Sequence, residues 1–219
     1  MDIGMDKLLF AFGITLFAGL STGIGSALAF YAKQTNTKFL SGALGFSAGV
    51  MIYVSLVEIF AEARASLEQF YGSPKGYWIA TAAFFTGIAV AALIDKHVPS
   101  AENPHELRDV TDMKEMTKNP VLLRTGLFSA LVIAIHNFPE GMAVFASAIQ
   151  DQALGISIAV AIAIHNIPEG VSVSVPVYFA TGDRKKAFLY SFLSGLSELL
   201  GAIVGYFLLL KFLNQALFG

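Results

Sequence analysis

Six apolar runs, each near the roughly 20 helical residues needed to cross about 30 Å of hydrocarbon, constrain this chain more than any other feature. They lie at about 8–31, 39–61, 77–98, 121–149, 153–181 and 186–212. Lipid offers no water to an unpaired backbone group, so segments of this kind cross as helices whose N–H and C=O groups bond internally. The expected fold is all-α: a polytopic transmembrane helix bundle of six spans forming a single domain. Composition points the same way, with 55% of the 219 residues hydrophobic, 14% charged and a mean hydropathy of +0.66. The lipid bilayer is therefore the first expected partner. A net charge of −2 supplies no field that would draw nucleic acid, and none is expected as a partner. There is no cysteine, which removes disulfides and thiolate metal ligands together. The opening "MDIGMDKLLF" lacks the basic region and small-residue cleavage site of a signal peptide, so the first run is read as a retained span.

Basic residues set the expected orientation, because Lys and Arg near span ends gather on the cytoplasmic side. The connections after the first, third and fifth runs hold Lys33, Lys38, Lys96, Arg108, Lys114, Lys118, Arg124, Arg184, Lys185 and Lys186. The opposite side holds only Lys7, Arg64, Lys75 and Lys211. The N-terminus is thus expected outside, with the polar loop at about 99–120 in the cytoplasm. His97 and His105 flank carboxylates in this region and read as parts of a solvated linker rather than a metal trap. Inside the spans, Gly19/Gly23, Gly45/Gly49 and Gly201/Gly205 recur at four-residue spacing, which suits close helix packing.

Within this apolar frame the chain repeats "HNFPEG" at 136–141 as "HNIPEG" at 165–170. Each copy puts a histidine and a glutamate four residues apart on one helical face, His136 with Glu140 and His165 with Glu169, while Asn137 and Asn166 turn toward a neighbour. An ionised side chain at mid-bilayer costs on the order of 3 kcal/mol even on lenient scales, so four such groups need partners. The turn between the fourth and fifth runs falls near "QDQ" at 150–152, with Glu140 eleven residues before Asp151 and His165 fourteen after it. An antiparallel hairpin then brings both copies to nearly one depth, where a cation can serve as the shared partner. Pro139 and Pro168 cannot donate to the carbonyls of Ile135 and Ile164, and kinked polar helices at one depth resemble a transporter's substrate site. The two-histidine metalloprotease pattern with an intervening glutamate is absent, and no nucleophile and base accompany the motif, so an enzyme is not expected.

Other spans offer supporting ligands. In the second, Met51, Ser55, Glu58 and Glu62 recur at intervals of four, three and four, which an α-helix gathers on one face leading outward. Glu58 is the stronger candidate and Met51 a thioether alternative. Glu198 in "SGLSELLGAIVG" is a further carboxylate inside an apolar run. Imidazole with carboxylate and amide oxygen suits Zn²⁺, Fe²⁺, Mn²⁺, Co²⁺ or Cd²⁺. Such ions are expected as cargo, with no separate cofactor. Two functions follow, a transporter of divalent metal ions or a non-transporting membrane protein that binds or senses them.

The paired "HNFPEG" and "HNIPEG" helices, with "GFSAGVMIYVSLVEIF" before them and "SGLSELLGAIVGY" after, resemble the ZIP family of divalent metal transporters and its bacterial ZupT-like branch. The resemblance covers nearly the whole chain. It implies that His136, Asn137, Glu140, His165, Asn166, Glu169 and Glu198 form adjoining metal sites bridged by glutamates, with Glu58 and Met51 contributing from the second helix. It also implies uptake of Zn²⁺, Fe²⁺ and related ions into the cytoplasm, and a homodimer. Family members have eight spans with inverted three-helix repeats, so two C-terminal helices are expected beyond these six.

Overall fold

A computed structural model describes residues 3–31, 37–97 and 120–216, and every regular element among them is helical. In chain order these are α1 (Met5–Tyr31), α2 (Thr37–Tyr53), a π-helical segment (Val54–Ile59), α3 (Phe60–Tyr71), α4 (Ser73–His97), α5 (Pro120–Gln150), α6 (Gln152–Thr181), α7 (Arg184–Gly195) and α8 (Ser197–Ala216). They make six spans, because α2, the π segment and α3 run on continuously and only Leu196 separates α7 from α8. His105 lies outside the described residues, and so does the side chain of His97, which ends α4.

Several helix ends differ from the hydropathy reading, most of all that of the second span. The second span continues past residue 61 to Tyr71, because helix formation outlasts the apolar stretch: nothing breaks it until Gly72, whose φ of 85° suits a residue without a Cβ. Arg64 Nε lies 3.0 Å from Glu68 Oε1 one turn on, a pair that supports this polar extension. The last span starts at Arg184, where Asp183 caps the helix by accepting from the backbone N–H groups of Lys185 and Lys186.

The helices divide into a tight body and a looser pair. α6 lies along both α1 and α5, α5 packs against α8, and α7 joins α1 and α6. α4 packs chiefly on α3, and α2 meets the body mainly through α6. Ala18, Val144, Ile158 and Ile162 fill one buried cluster, closed by Val54 of the π segment. Phe145, fully buried, meets Phe12 and Tyr206 in a second cluster formed by α1, α5 and α8.

The α5–α6 hairpin turns on a single residue. Asp151 alone lies between the two helices, extended at φ −140° and ψ 128°, and its Oδ1 accepts from Leu154 N at 2.8 Å. Gly155 is seated against Ala148, so the helices close immediately beyond the turn. This fixes the register of the two motifs. α5 and α6 also continue through Pro139 and Pro168 without dividing into the half-helices that the prolines suggest.

Glycine allows the closest approaches. A Cβ on Gly25 would collide with the Ile167 carbonyl of α6, and one on Gly195 with the Gly19 carbonyl of α1. Of the glycine pairs, Gly19, Gly23 and Gly201 pack closely and Gly205 has room for a Cβ at ordinary contact with Met142 and Phe145, whereas a Cβ on Gly45 or Gly49 would meet nothing within 4 Å. Sequence spacing alone does not distinguish these cases, since it carries no information on what faces the pair. Gly25→Ala is accordingly expected to destabilise the protein by about 1–3 kcal/mol through overpacking. Gly45→Ala should be neutral or stabilise by up to about 1 kcal/mol, through helix propensity. Denaturant unfolding in detergent, followed by circular dichroism, separates the two.

Candidate metal centre

The hairpin register brings the two motif copies face to face. His136 Nε2 and His165 Nε2 are 3.3 Å apart. Glu169 Oε1 lies 3.0 Å from His165 Nε2 and 3.6 Å from His136 Nε2. Glu140 Oε1 is 3.2 Å from His136 Nε2. Four Nε2–Oε1 and Nε2–Nε2 separations between 3.0 and 3.6 Å have a simple meaning. Ligands about 2.0–2.1 Å from a tetrahedral ion stand roughly 3.3 Å from one another. His136, His165 and Glu169 can therefore close around one divalent cation with little movement, and their ligand atoms all lie within 4.8 Å.

A second layer of polar groups lies deeper in the body. Asn137, Asn166 and Glu198 are each fully buried, and Glu140 and Glu169 are 8% and 7% exposed. Asn166 Nδ2 donates to the Ala18 carbonyl of α1 at 2.9 Å and to Glu198 Oε1. The amide of Asn137 satisfies its neighbours when its nitrogen donates to Glu169 Oε2 at 3.1 Å and to the Ile133 carbonyl at 3.3 Å. Glu198 sits in the first turn of α8, just after the break at Leu196.

Acceptors outnumber donors here. Both oxygens of Glu140, Oδ1 of Asn166 and Oε2 of Glu198 are buried without a hydrogen-bond donor among the described residues. The His136 Nε2 contact to Glu140 is close but lacks hydrogen-bond alignment. Buried polar atoms are nearly always satisfied, and an uncompensated carboxylate in hydrocarbon is costly. Cations held beside these acceptors would offset the surplus.

The last residue of each motif explains how such depth is reached. A Cβ on Gly141 would collide with the Glu198 carbonyl, and one on Gly170 with the Thr22 carbonyl. Glycine therefore lets α5 press against the start of α8 and α6 press against α1.

Not every expected ligand joins the cluster. Met51 is half-buried against the apolar residues around Ala18 and Ile158, a packing position. Glu58 lines a separate open groove of about 400 Å³ with Phe46, Gly49, Tyr53 and Ser157. The single outward face expected for Met51, Ser55, Glu58 and Glu62 assumed an unbroken α period. The π segment replaces that period with i→i+5 bonding, Phe60 N–H donating to the Ser55 carbonyl, so the residues beyond it are rotated out of line. Glu62, beyond the π segment, accepts from Gln150 Nε2. One residue escaped the sequence reading: Ser47 of α2, 2% exposed, whose Oγ is 2.6 Å from His165 Nδ1. Its only sequence signal is a polar residue in an apolar run, four before Met51.

Known proteins match this chain over most of its length. A family model described as "ZIP Zinc transporter" matches residues 96–215. A protein of Oceanobacillus iheyensis named "Zinc transporter ZupT" is 58% identical over 218 residues, covering 98% of this chain and 81% of the relative. Proteins of the same name from Clostridium perfringens and Lysinibacillus sphaericus are 57% and 58% identical, each covered to 80% of its length.

Loss of an outer-shell partner typically costs about 10–100-fold in metal affinity, and loss of a direct ligand at least as much. Glu169→Ala is therefore expected to weaken Zn²⁺ binding by more than about 100-fold, whereas Glu58→Ala should change it less than about threefold. Equilibrium dialysis of the detergent-solubilised protein measures both.

Proposed function

The chain belongs to the ZIP family of zinc transporters, and from that membership together with the site we infer that it carries divalent metal ions across a membrane into the cytoplasm. The observation that carries the reading is the surplus of buried acceptors around His136, His165 and Glu169, at one depth in two apolar helices. A binding or sensing protein has no need to set this ligand set so deep in the bilayer.

Zinc is the substrate that the relatives' names support, and the nitrogen and oxygen donor set also suits Fe²⁺, Mn²⁺, Co²⁺ and Cd²⁺. Capture begins outside near Glu62, and the ion passes the groove lined by Glu58 before reaching the two histidines. His136, His165 and Glu169 take it first, with Glu140 adjoining; Asn166 Oδ1 and Glu198 Oε2 offer the next oxygens inward. Neutral amide oxygen binds more weakly than carboxylate, which eases release toward the cytoplasmic side. A membrane potential of about 100 mV, negative inside, favours entry of a divalent ion by roughly 4.6 kcal/mol. The distribution of Lys and Arg supports an N-terminus outside in a bacterial inner membrane. The family resemblance supports a homodimer.

Proteoliposomes loaded with a fluorescent Zn²⁺ reporter test the reading. Flux from the unsubstituted protein is expected to fall to the protein-free level in a Glu140→Ala, Glu169→Ala double variant. Zn²⁺ binding without flux in the unsubstituted protein would instead favour the sensing role.

A further inference from the structure

We propose that Ser47 is a positioning residue for the transported metal: its hydroxyl holds His165 in the tautomer and orientation that present Nε2 to the ion. The inference rests on the reading of His165 as a ligand and adds the residue that makes it one.

A neutral imidazole carries a single N–H. For Nε2 to offer its lone pair to a cation, the proton has to sit on Nδ1, and a buried N–H needs an acceptor. Ser47 Oγ, 2.6 Å from His165 Nδ1, is that acceptor. Nε2 of the same ring points at Glu169 Oε1, 3.0 Å away, and at His136 Nε2, 3.3 Å away. One nitrogen is thus occupied by α2 while the other faces the ligand cluster.

Most of the hydroxyls that bond in this chain do so within their own helix, Ser191, which donates to the Gly170 carbonyl, being an exception. A serine or threonine in a membrane helix commonly donates to the carbonyl one turn back in its own helix. Thr15, Thr81, Thr86, Ser157, Ser172 and Thr181 all do so. Ser47 instead reaches across to a ring nitrogen on α6, and at 2% exposure no lipid or water competes for that contact. His136 has no equivalent. Among the described residues its Nδ1 finds no hydrogen-bond partner, and its side chain is 40% exposed against 15% for His165. The two histidines of the repeat are therefore unequal, His165 fixed from behind and His136 freer to swing. α2 thus reaches the histidine pair through Ser47, at the back of His165.

Ser47→Ala, Ser47→Thr, His165→Ala and the Ser47→Ala, His165→Ala double variant of the full chain decide the matter by equilibrium dialysis against Zn²⁺ and Mn²⁺. Ser47→Ala is expected to lower Zn²⁺ affinity about 10–100-fold, the usual cost of an outer-shell partner. Mn²⁺, which prefers oxygen, should lose less, so the Zn²⁺ over Mn²⁺ preference falls. Ser47→Thr keeps the hydroxyl and should stay within a few-fold of the unsubstituted protein. In the His165→Ala background Ser47→Ala should cost nothing further, since the two act as one unit. Unchanged Zn²⁺ affinity in Ser47→Ala would overturn the proposal, and so would an equal loss for both ions or an undiminished loss without His165. Unaltered Zn²⁺ binding by His165→Ala would overturn the ligand assignment beneath it. Absence of flux from the unsubstituted chain would refute transport alone, leaving the dialysis comparison to judge Ser47.

Discussion

Three glutamates buried among apolar helices, Glu140, Glu169 and Glu198, impose the condition that the rest of the structure meets. Each carboxylate brings acceptors and no donors, and hydrocarbon supplies neither water nor counter-ion. Part of the demand is met by protein: Asn166 donates to Glu198, Asn137 to Glu169, and the two histidines stand beside Glu140 and Glu169. The remainder, including both oxygens of Glu140, finds no donor among the described residues, a surplus that a cation would offset. Gly141 and Gly170 serve this arrangement indirectly, because only without a Cβ can α5 and α6 approach α8 and α1 closely enough to shut lipid out.

The same condition explains why the two copies of one motif behave differently. His165 sits 15% exposed with Ser47 behind it, whereas His136 is 40% exposed. Asn166 bonds outward to α1 and to Glu198, leaving its oxygen free, while Asn137 turns its nitrogen to Glu169. Equal residues at equal depth thus acquire unequal neighbours, since α1 and α2 flank one helix and α8 the other.

Much of this was legible in the sequence because it depends on short-range geometry. The i, i+4 spacing of His136 with Glu140 and His165 with Glu169 survives in any α-helix, and the apex at Asp151 is marked by polar residues between two apolar runs. Those two facts alone set the motifs at one depth. What escaped depends on period changes and on cross-helix neighbours. Nothing in "VSLVEI" announces i→i+5 bonding, so the alignment of Met51 with Glu58 and Glu62 was read from a period that the helix does not keep. Ser47 is chemically unremarked until α6 is laid against α2, and Gly45 looks like Gly25 until their surroundings are compared. The helical extension to Tyr71 shows the converse, that hydropathy marks the edge of the lipid rather than the end of a helix.

The central claim is that both histidines of the repeat bind one ion. X-ray absorption at the zinc edge of the Zn²⁺-loaded protein tests it most directly. The account predicts a nitrogen and oxygen shell at about 2.0–2.1 Å with outer-shell scattering from two imidazole rings. An all-oxygen shell, or the scattering of a single imidazole, would contradict it.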